Sequence, residues 1–154
     1  GGNTMQEKIQ EFMHRVADEA SLDSNKLNIE DINSKISDEQ RQPYQNTFLQ
    51  ECEYMNVLIK VIVTSLAEIE LAFKGELTMT EKMEELMKAI YLNRVPANWT
   101  KYGFVSTRAL SSWLDNLKQR LDQLNLWKDD PVTTPKCTFL NRLFNPESFL
   151  TAIQ

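Results

Sequence analysis

Apolar residues recur every three or four positions along most of the chain, which is the spacing that places them on one face of an α-helix. The longest stripe runs from Pro43 to Lys74 and predicts a helix about 45–50 Å long. Gly75 follows this stripe and suits the residue after a helix end, because glycine adopts a positive φ without steric cost. The apolar members are Tyr44, Phe48, Cys52, Met55, Leu58, Ile62, Leu66, Ile69 and Phe73.

Two shorter helices are predicted before the long one. Thr4-x-x-Glu7 matches a capping box, in which a hydroxyl and a carboxylate satisfy the first free N–H groups, and predicts a helix from about Thr4 to Ala20. The polar run Ser21–Lys26 predicts a loop. Asn28 then predicts the N-cap of a short helix that carries Ile29, Ile32 and Ile36 on one face.

After Gly75 the pattern predicts a helix, a turn and another helix. Thr78-x-x-Glu81 is a second capping box and opens a helix that ends near Asn93. The stretch Pro96–Phe104 predicts a short turn held by burial of its aromatic residues. Ser106 or Thr107 is predicted to open the next helix, which Asp129-Asp130-Pro131 ends.

The last residues predict a short apolar turn and a final helix. The turn spans Thr138–Phe144. Asn145 is expected as the N-cap of the helix, followed by Pro146 in its first turn. The helix begins only nine residues before Gln154, so we expect it to continue in a longer parent.

These patterns define the fold class. No segment alternates apolar and polar residues with a period of two for long enough to predict a strand. The sequence therefore predicts an all-α, multi-helix bundle built around one long central helix, with essentially no β-strand. We divide it into an N-terminal helix–loop–helix segment, residues 1–42, and a second helical part, residues 43–154.

Composition excludes several classes of protein. Hydrophobic residues make up 42% and charged residues 25%, which is ordinary for a globular domain and argues against global disorder. The formal net charge is −5, which makes nucleic acid and anionic membranes poor electrostatic partners. The longest apolar stretch, residues 57–71, is interrupted by Lys60, Glu68 and Glu70 and predicts no membrane span.

Residues with reactive side chains do not form a recognisable site. His14 is the one histidine and lies away from the apolar stripe of its helix, so we interpret it as a solvated surface residue. Cys52 falls within an apolar stripe and is interpreted as a buried free thiol. The sequence has no glycine-rich phosphate loop and no spacing of His and Cys typical of zinc. We expect no catalytic, cofactor-binding or metal-binding residue.

Two groups of apolar residues fit either burial in the core of the domain or an interface with a partner. Met79, Met83 and Met87 recur every four residues, which favours core packing but also fits a face that binds partner helices. Trp99, Trp113 and Trp127 each lie in an apolar pattern, so burial is the preferred interpretation over a role as interface anchors.

Several segments, in order and spacing, resemble the C-terminal region of axonemal, outer-arm-type dynein heavy chains. The resemblance is clearest from Phe48 to the end and weaker from Thr4 to Gln45. The segments that carry it are Gln50-Glu51-Cys52-Glu53-Tyr54-Met55-Asn56, Lys74-Gly75-Glu76-Leu77-Thr78-Met79-Thr80, Arg94-Val95-Pro96-Ala97-Asn98-Trp99, Ser111-Ser112-Trp113-Leu114 and Phe144-Asn145-Pro146-Glu147-Ser148-Phe149-Leu150-Thr151-Ala152-Ile153.

The resemblance implies a parent that is a very large ATP-driven microtubule motor of cilia and flagella. This chain is then the helical first half of a C-terminal domain that lies against a ring of six AAA+ modules. ATP and Mg²⁺ are expected in modules outside the chain, and microtubules and other dynein chains are expected as partners of the parent. The implied location is the cytoskeleton of the axoneme, and the implied role is structural and regulatory.

The long helix supplies candidate contacts to the ring. Apolar residues outside its main stripe allow it to pack on more than one neighbour. The predicted contact residues are Leu49, Val57, Val61 and Leu71, together with Phe73 of the main stripe. The alternative is a standalone cytoplasmic helical adaptor that binds partner helices through the Met79–Met83–Met87 face. A third interpretation, a small enzyme, has no constellation of residues to support it.

Overall fold

The computed structural model describes residues 2–17, 22 and 27–154, except for the side chains of residues 2 and 3. These residues include seven α-helices and two short 3₁₀ turns, Asp38–Gln40 and Leu140–Arg142, and contain no strand. The predicted all-α fold is confirmed. The helices are α1 (Gly2–Arg15), α2 (Ile29–Ser34), α3 (Pro43–Phe73), α4 (Glu81–Tyr91), α5 (Ala97–Tyr102), α6 (Leu110–Asp129) and α7 (Pro146–Ala152).

Helix α3 is the centre of the fold and contacts each of the other six helices. It begins with Pro43, where the missing N–H costs nothing, and the Gln45 side chain accepts a hydrogen bond from the Gln42 N–H at 2.6 Å. It ends as predicted before Gly75, which has a φ of 76°. The predicted stripe is buried from Tyr44 to Ile69.

The core contains a series of aromatic rings that links the first helix to the C-terminal segment. Phe12 of α1 lies 6.1 Å from Trp99 of α5, which lies 6.0 Å from Trp113 of α6. Trp113 stacks on Phe104 at 4.9 Å, and Phe104 meets Phe144 edge-on at 6.0 Å. Trp99, Trp113 and Trp127 are all buried, so their predicted burial is confirmed.

Close packing of α5 on α3 depends on Gly103. A Cβ built at this residue would lie 2.8 Å from the Trp99 carbonyl oxygen and 3.0 Å from a methyl carbon of Leu58. Trp99 is completely buried, and its indole N–H donates to the Ser65 hydroxyl at 3.1 Å. The predicted aromatic turn is therefore a short helix held against α3.

Two cap predictions are confirmed. The Asn28 side chain accepts from the Asp31 N–H at 3.0 Å and starts α2. The Asn145 side chain accepts from the Ser148 N–H at 3.1 Å and starts α7, with Pro146 in the first turn. In both helices a short amide side chain satisfies an N–H that has no partner within the helix.

Three predicted helix starts are wrong. α1 begins at Gly2, so Thr4 lies inside it and is not its N-cap. α4 begins at Glu81 with Thr80 as N-cap, two residues after Thr78, because the Thr80 hydroxyl accepts from the Met83 N–H at 3.2 Å. α6 begins at Leu110, since the Ser106 hydroxyl accepts from the Arg108 N–H at 3.1 Å and forms a turn before the helix.

The remaining N-terminal predictions fall partly outside the described residues. The predicted end of the first helix, residues 18–20, lies there, as do residues 21 and 23–26 of the predicted loop. Leu22, within that loop, is buried. The division at residue 42 stays a prediction. Among the residues that the structure describes, no helix is both long enough and apolar enough to cross a membrane.

Candidate functional site

The residues with reactive side chains lie apart from one another. His14 is exposed on α1, whereas Cys52 is buried in the middle of α3. Burial raises the pKa of the Cys52 thiol to about 12, with a further contribution from the neighbouring Glu51, so the thiol is protonated at neutral pH. Within residues 2–17, 22 and 27–154 there is no group of three or more His, Cys, Asp or Glu side chains placed to hold a metal ion.

A buried polar cluster joins α3 and α6 to the segment that leads into α7. We call it the Glu51–Arg120 cluster; it comprises these two side chains and the backbone of residues 143–145. Glu51 is 3% exposed, and its carboxylate accepts hydrogen bonds from the N–H groups of Phe144 and Asn145, the second at 2.8 Å. The carboxylate thus holds two consecutive backbone donors at the entry to α7.

Arg120 completes the cluster from α6. Its guanidinium donates to the Leu143 carbonyl oxygen at 3.1 Å and to the Asn116 side-chain oxygen at 2.7 Å. It also lies over the Phe104 ring, with the guanidinium carbon 3.7 Å from the ring centre. These contacts fix Arg120 between an aromatic ring and the C-terminal segment.

The charges of the two side chains follow from burial and from their partners. Burial raises the pKa of Glu51, although the N–H groups of Phe144 and Asn145 and the charge of Arg120 lower it in part. Burial lowers the pKa of Arg120 to about 10, and Glu51 opposes that change. Arg120 is therefore charged at neutral pH, and the cluster connects α3 and α6 to the segment that leads into α7.

Amide side chains hold other loops against α3. Gln45 is completely buried and donates to the Pro131 carbonyl oxygen at 2.9 Å. Asn56 accepts from the Leu27 N–H at 2.9 Å and donates to the Leu27 carbonyl oxygen at 2.6 Å. A side-chain amide mimics a peptide group in this geometry. Loop N–H and carbonyl groups that have no backbone partner therefore form hydrogen bonds with it.

Sequence reasoning missed these polar anchors. Gln45 and Glu51 are polar, yet both occupy positions beside the apolar stripe of α3, next to Tyr44 and Cys52. A polar residue beside an apolar stripe is the one sequence feature that indicates such an anchor, because a buried polar group needs a hydrogen-bond partner. The signal does not identify that partner, which for Glu51 lies 93 and 94 residues away.

The five predicted contact residues are not on one face of α3. Val57 is 48% exposed and lies nine residues from both Phe48 and Leu66, which places it on the opposite side of the helix from these buried residues. Leu71 is 39% exposed on the same side as Val57. Leu49, Val61 and Phe73 are partly buried against the core.

Val57 lies beside other exposed or half-exposed groups on α3. Tyr54, one turn earlier, is partly exposed, and its ring lies 5.9 Å from that of Phe144. Val61 follows one turn later. We call Val57, Val61 and Leu71 the outer face of α3. The role of these three residues, and of Leu49 and Phe73, as ring contacts stays a prediction.

The stripe formed by Met83 and Met87 of α4 and by Met79, which precedes the helix, lies mainly in the core. Met83 is buried, and Met79 and Met87 are partly buried against the core, so the core-packing interpretation is confirmed. Met79 and Met87 also line an open apolar cavity of about 610 Å³ together with Met5 and Tyr91. Under the adaptor alternative, this cavity is where a partner helix would bind.

Comparison with known proteins identifies relatives along the whole chain. The family model for the C-terminal domain of dynein heavy chains matches residues 1–154. The chain is 41% identical to human dynein axonemal heavy chain 9 over 156 residues, and 40% identical to the beta chain of the flagellar outer arm dynein of Chlamydomonas reinhardtii over 154 residues. Each alignment covers 99% of this chain and 3% of the relative.

The beta chain of ciliary dynein from Tripneustes gratilla is 39% identical over 96% of this chain. This chain therefore spans only a small part of the length of its curated relatives, 3% in each of these three. The family model matches all 154 residues, and sequence identities are near 40%. A shared helical fold alone does not produce sequence identity this high over the whole chain. The chain belongs to the family formed by the C-terminal domains of dynein heavy chains.

Proposed function

We propose that this chain is the helical first half of the C-terminal domain of an axonemal dynein heavy chain, an ATP-driven microtubule motor of cilia and flagella. The observation that carries the proposal is the family match over residues 1–154. The names of the relatives, which are axonemal, flagellar and ciliary dynein chains, support an axonemal location.

Within the motor, the proposed role of the chain is structural and regulatory. It packs on the AAA+ ring, and ATP and Mg²⁺ bind in ring modules outside this chain. Helix α3 contacts the other six helices and still leaves Val57 and Leu71 exposed on one side. This arrangement suits a helix that also packs on a neighbouring module. Microtubules and other dynein chains are partners of the parent motor.

The outer face of α3 is the proposed contact with the ring. Val57 is the best probe of it, because it is exposed in this chain and a substitution there removes little core packing. Val61 is a poorer probe, since it is partly buried and a charge at that position also disturbs the core.

We expect Val57→Glu in the full heavy chain to impair motility. The added carboxylate would have to be buried without a partner at the contact with the ring, which weakens docking. The measurement is microtubule gliding velocity together with microtubule-stimulated ATPase activity. The same substitution in the 154-residue chain is expected to leave its helical circular dichroism and melting temperature nearly unchanged.

Gln119→Glu provides the matched control. Gln119 is exposed on α6, so this variant adds the same negative charge on a different helix. Normal motility of Gln119→Glu with impaired motility of Val57→Glu supports the proposed contact. Equal, unimpaired motility of both variants contradicts it.

A further inference from the structure

The loop after α6 has the features of a phosphorylation site. Residues 132–138, which we call the 132–138 loop, have no helix or strand and lie between the end of α6 and the 3₁₀ turn at Leu140–Arg142. Protein kinases act on hydroxyl groups in accessible, non-helical segments. Thr133, Thr134, Lys136 and Cys137 of this loop are exposed.

Thr134 is distinguished from every other hydroxyl residue by the proline that follows it. The five prolines of the chain are preceded by Gln42, Val95, Asp130, Thr134 and Asn145, so Thr134 is the only serine or threonine directly before a proline. Pro135 restricts Thr134 to extended backbone conformations and has no N–H of its own. Proline-directed kinases recognise this pair of residues in an extended segment.

The loop is anchored at both ends, so modification between the anchors does not require the fold to open. On one side Gln45 donates to the Pro131 carbonyl oxygen at 2.9 Å. On the other, the Gln123 side chain accepts from the Phe139 N–H at 2.8 Å and donates to its carbonyl oxygen at 3.3 Å. None of the hydrogen bonds of the described residues involves residues 134–138.

The neighbouring threonine is held at the end of α6 in a way that Thr134 is not. The Thr133 N–H donates to the Asp130 carboxylate at 3.3 Å. This contact and the nearby Thr133 side chain lower the pKa of Asp130. Among the described residues Thr134 takes part in no such contact, so it is the less constrained residue of the pair.

We propose that Thr134 is a phosphorylation site for a proline-directed protein kinase. The Thr134 oxygen forms a bond to the γ-phosphorus of ATP, the bond between that phosphorus and the β,γ-bridging oxygen breaks, and ADP leaves. The hydroxyl proton passes to the catalytic base of the kinase. The product adds a charge of about −1.5 to −2 at neutral pH.

The phosphate would change the surface of an adjoining cleft. Thr134 lines an open cleft of about 410 Å³ together with Lys136, Arg142 and the buried Trp127. A phosphate on Thr134 adds negative charge to a cleft that is lined by these two cations and by Asp130. A partner seated against this cleft would meet a different charge after modification.

The test is phosphate incorporation from radiolabelled ATP by a purified mitogen-activated protein kinase. The folded 154-residue chain is compared with Thr134→Val, Thr133→Val and Pro135→Ala, and the site is mapped by mass spectrometry. We expect about one phosphate per chain, retained in Thr133→Val and lost in the other two variants. The valine pair is matched, because each change removes one hydroxyl and keeps the β-branched shape.

Two results would overturn the proposal. One is incorporation that persists in Thr134→Val, which places the phosphate elsewhere. The other is a folded chain that takes up no phosphate although a synthetic peptide of residues 129–140 does, which makes the loop inaccessible in the fold. Circular dichroism of each variant shows whether it is folded when it meets the kinase.

Discussion

Glu51→Ala is expected to lower the free energy of unfolding by about 3–5 kcal/mol. The change leaves the N–H groups of Phe144 and Asn145 without their acceptor and removes the carboxylate that compensates the buried charge of Arg120. The measurement is chemical denaturation followed by far-UV circular dichroism. Because α7 depends on these hydrogen bonds, we expect its amides to lose hydrogen-exchange protection first.

Glu53→Ala is the control for this variant. Glu53 lies two residues further along α3 and is exposed, so the same change of residue removes no buried partner. We expect a change within about 0.5 kcal/mol for this variant. A loss of stability in Glu51→Ala no larger than that in Glu53→Ala would show that the cluster does not hold the C-terminal segment.

The raised pKa of Glu51 makes its contribution to stability depend on pH. Between the ordinary pKa of Glu and its higher value in the folded chain, the folded state binds the Glu51 proton more tightly than the unfolded state does. The contribution of Glu51 to stability therefore increases as the pH falls through the folded-state pKa and becomes constant below the unfolded-state pKa. Glu51→Gln does not titrate, so the wild type should gain stability relative to this variant on acidification over that window, as measured by denaturation at a series of pH values.

Trp113→Ala is expected to lower the free energy of unfolding by about 3–5 kcal/mol. Trp113 is completely buried and lies at the middle of the aromatic series, between Trp99 at 6.0 Å and Phe104 at 4.9 Å. Its loss leaves a large cavity between α5 and α6 and removes ring contacts on both sides. Far-UV circular dichroism during denaturation measures the effect without relying on tryptophan fluorescence.

Tyr102→Ala is the matched aromatic control. Tyr102 is 43% exposed at the end of α5, so its removal creates no closed cavity. We expect a much smaller loss of stability than in Trp113→Ala. Equal losses in the two variants would contradict the view that the ring series stabilises the core between α5 and α6.

Helix periodicity and caps made most of the fold predictable. The stripe of α3, its end at Gly75 and the starts of α2 at Asn28 and α7 at Asn145 follow from local rules, since each concerns residues within a few positions of one another. The start of α4 was misplaced because Thr78 and Thr80 both offer a hydroxyl, and Thr80 is the one that accepts from the Met83 N–H.

The polar anchors could not be predicted, because their partners are distant in sequence. Glu51 binds backbone groups 93 and 94 residues away, and Gln45 binds one 86 residues away. The exposure of the predicted contact residues also depends on the neighbouring helices. Leu49, Val57 and Val61 all lie outside the main stripe of α3, yet Val57 is exposed whereas Leu49 and Val61 pack partly on the core.

The most direct test of the central claim is an immunoblot with an antibody raised against this chain. Source cells and their isolated cilia or flagella are compared, and the axonemes are extracted to release dynein. The account predicts a band at the size of the largest dynein heavy chains, enriched in axonemes and released with other dynein components. A band near 17.9 kDa in the soluble cytoplasm would contradict it and favour the standalone adaptor.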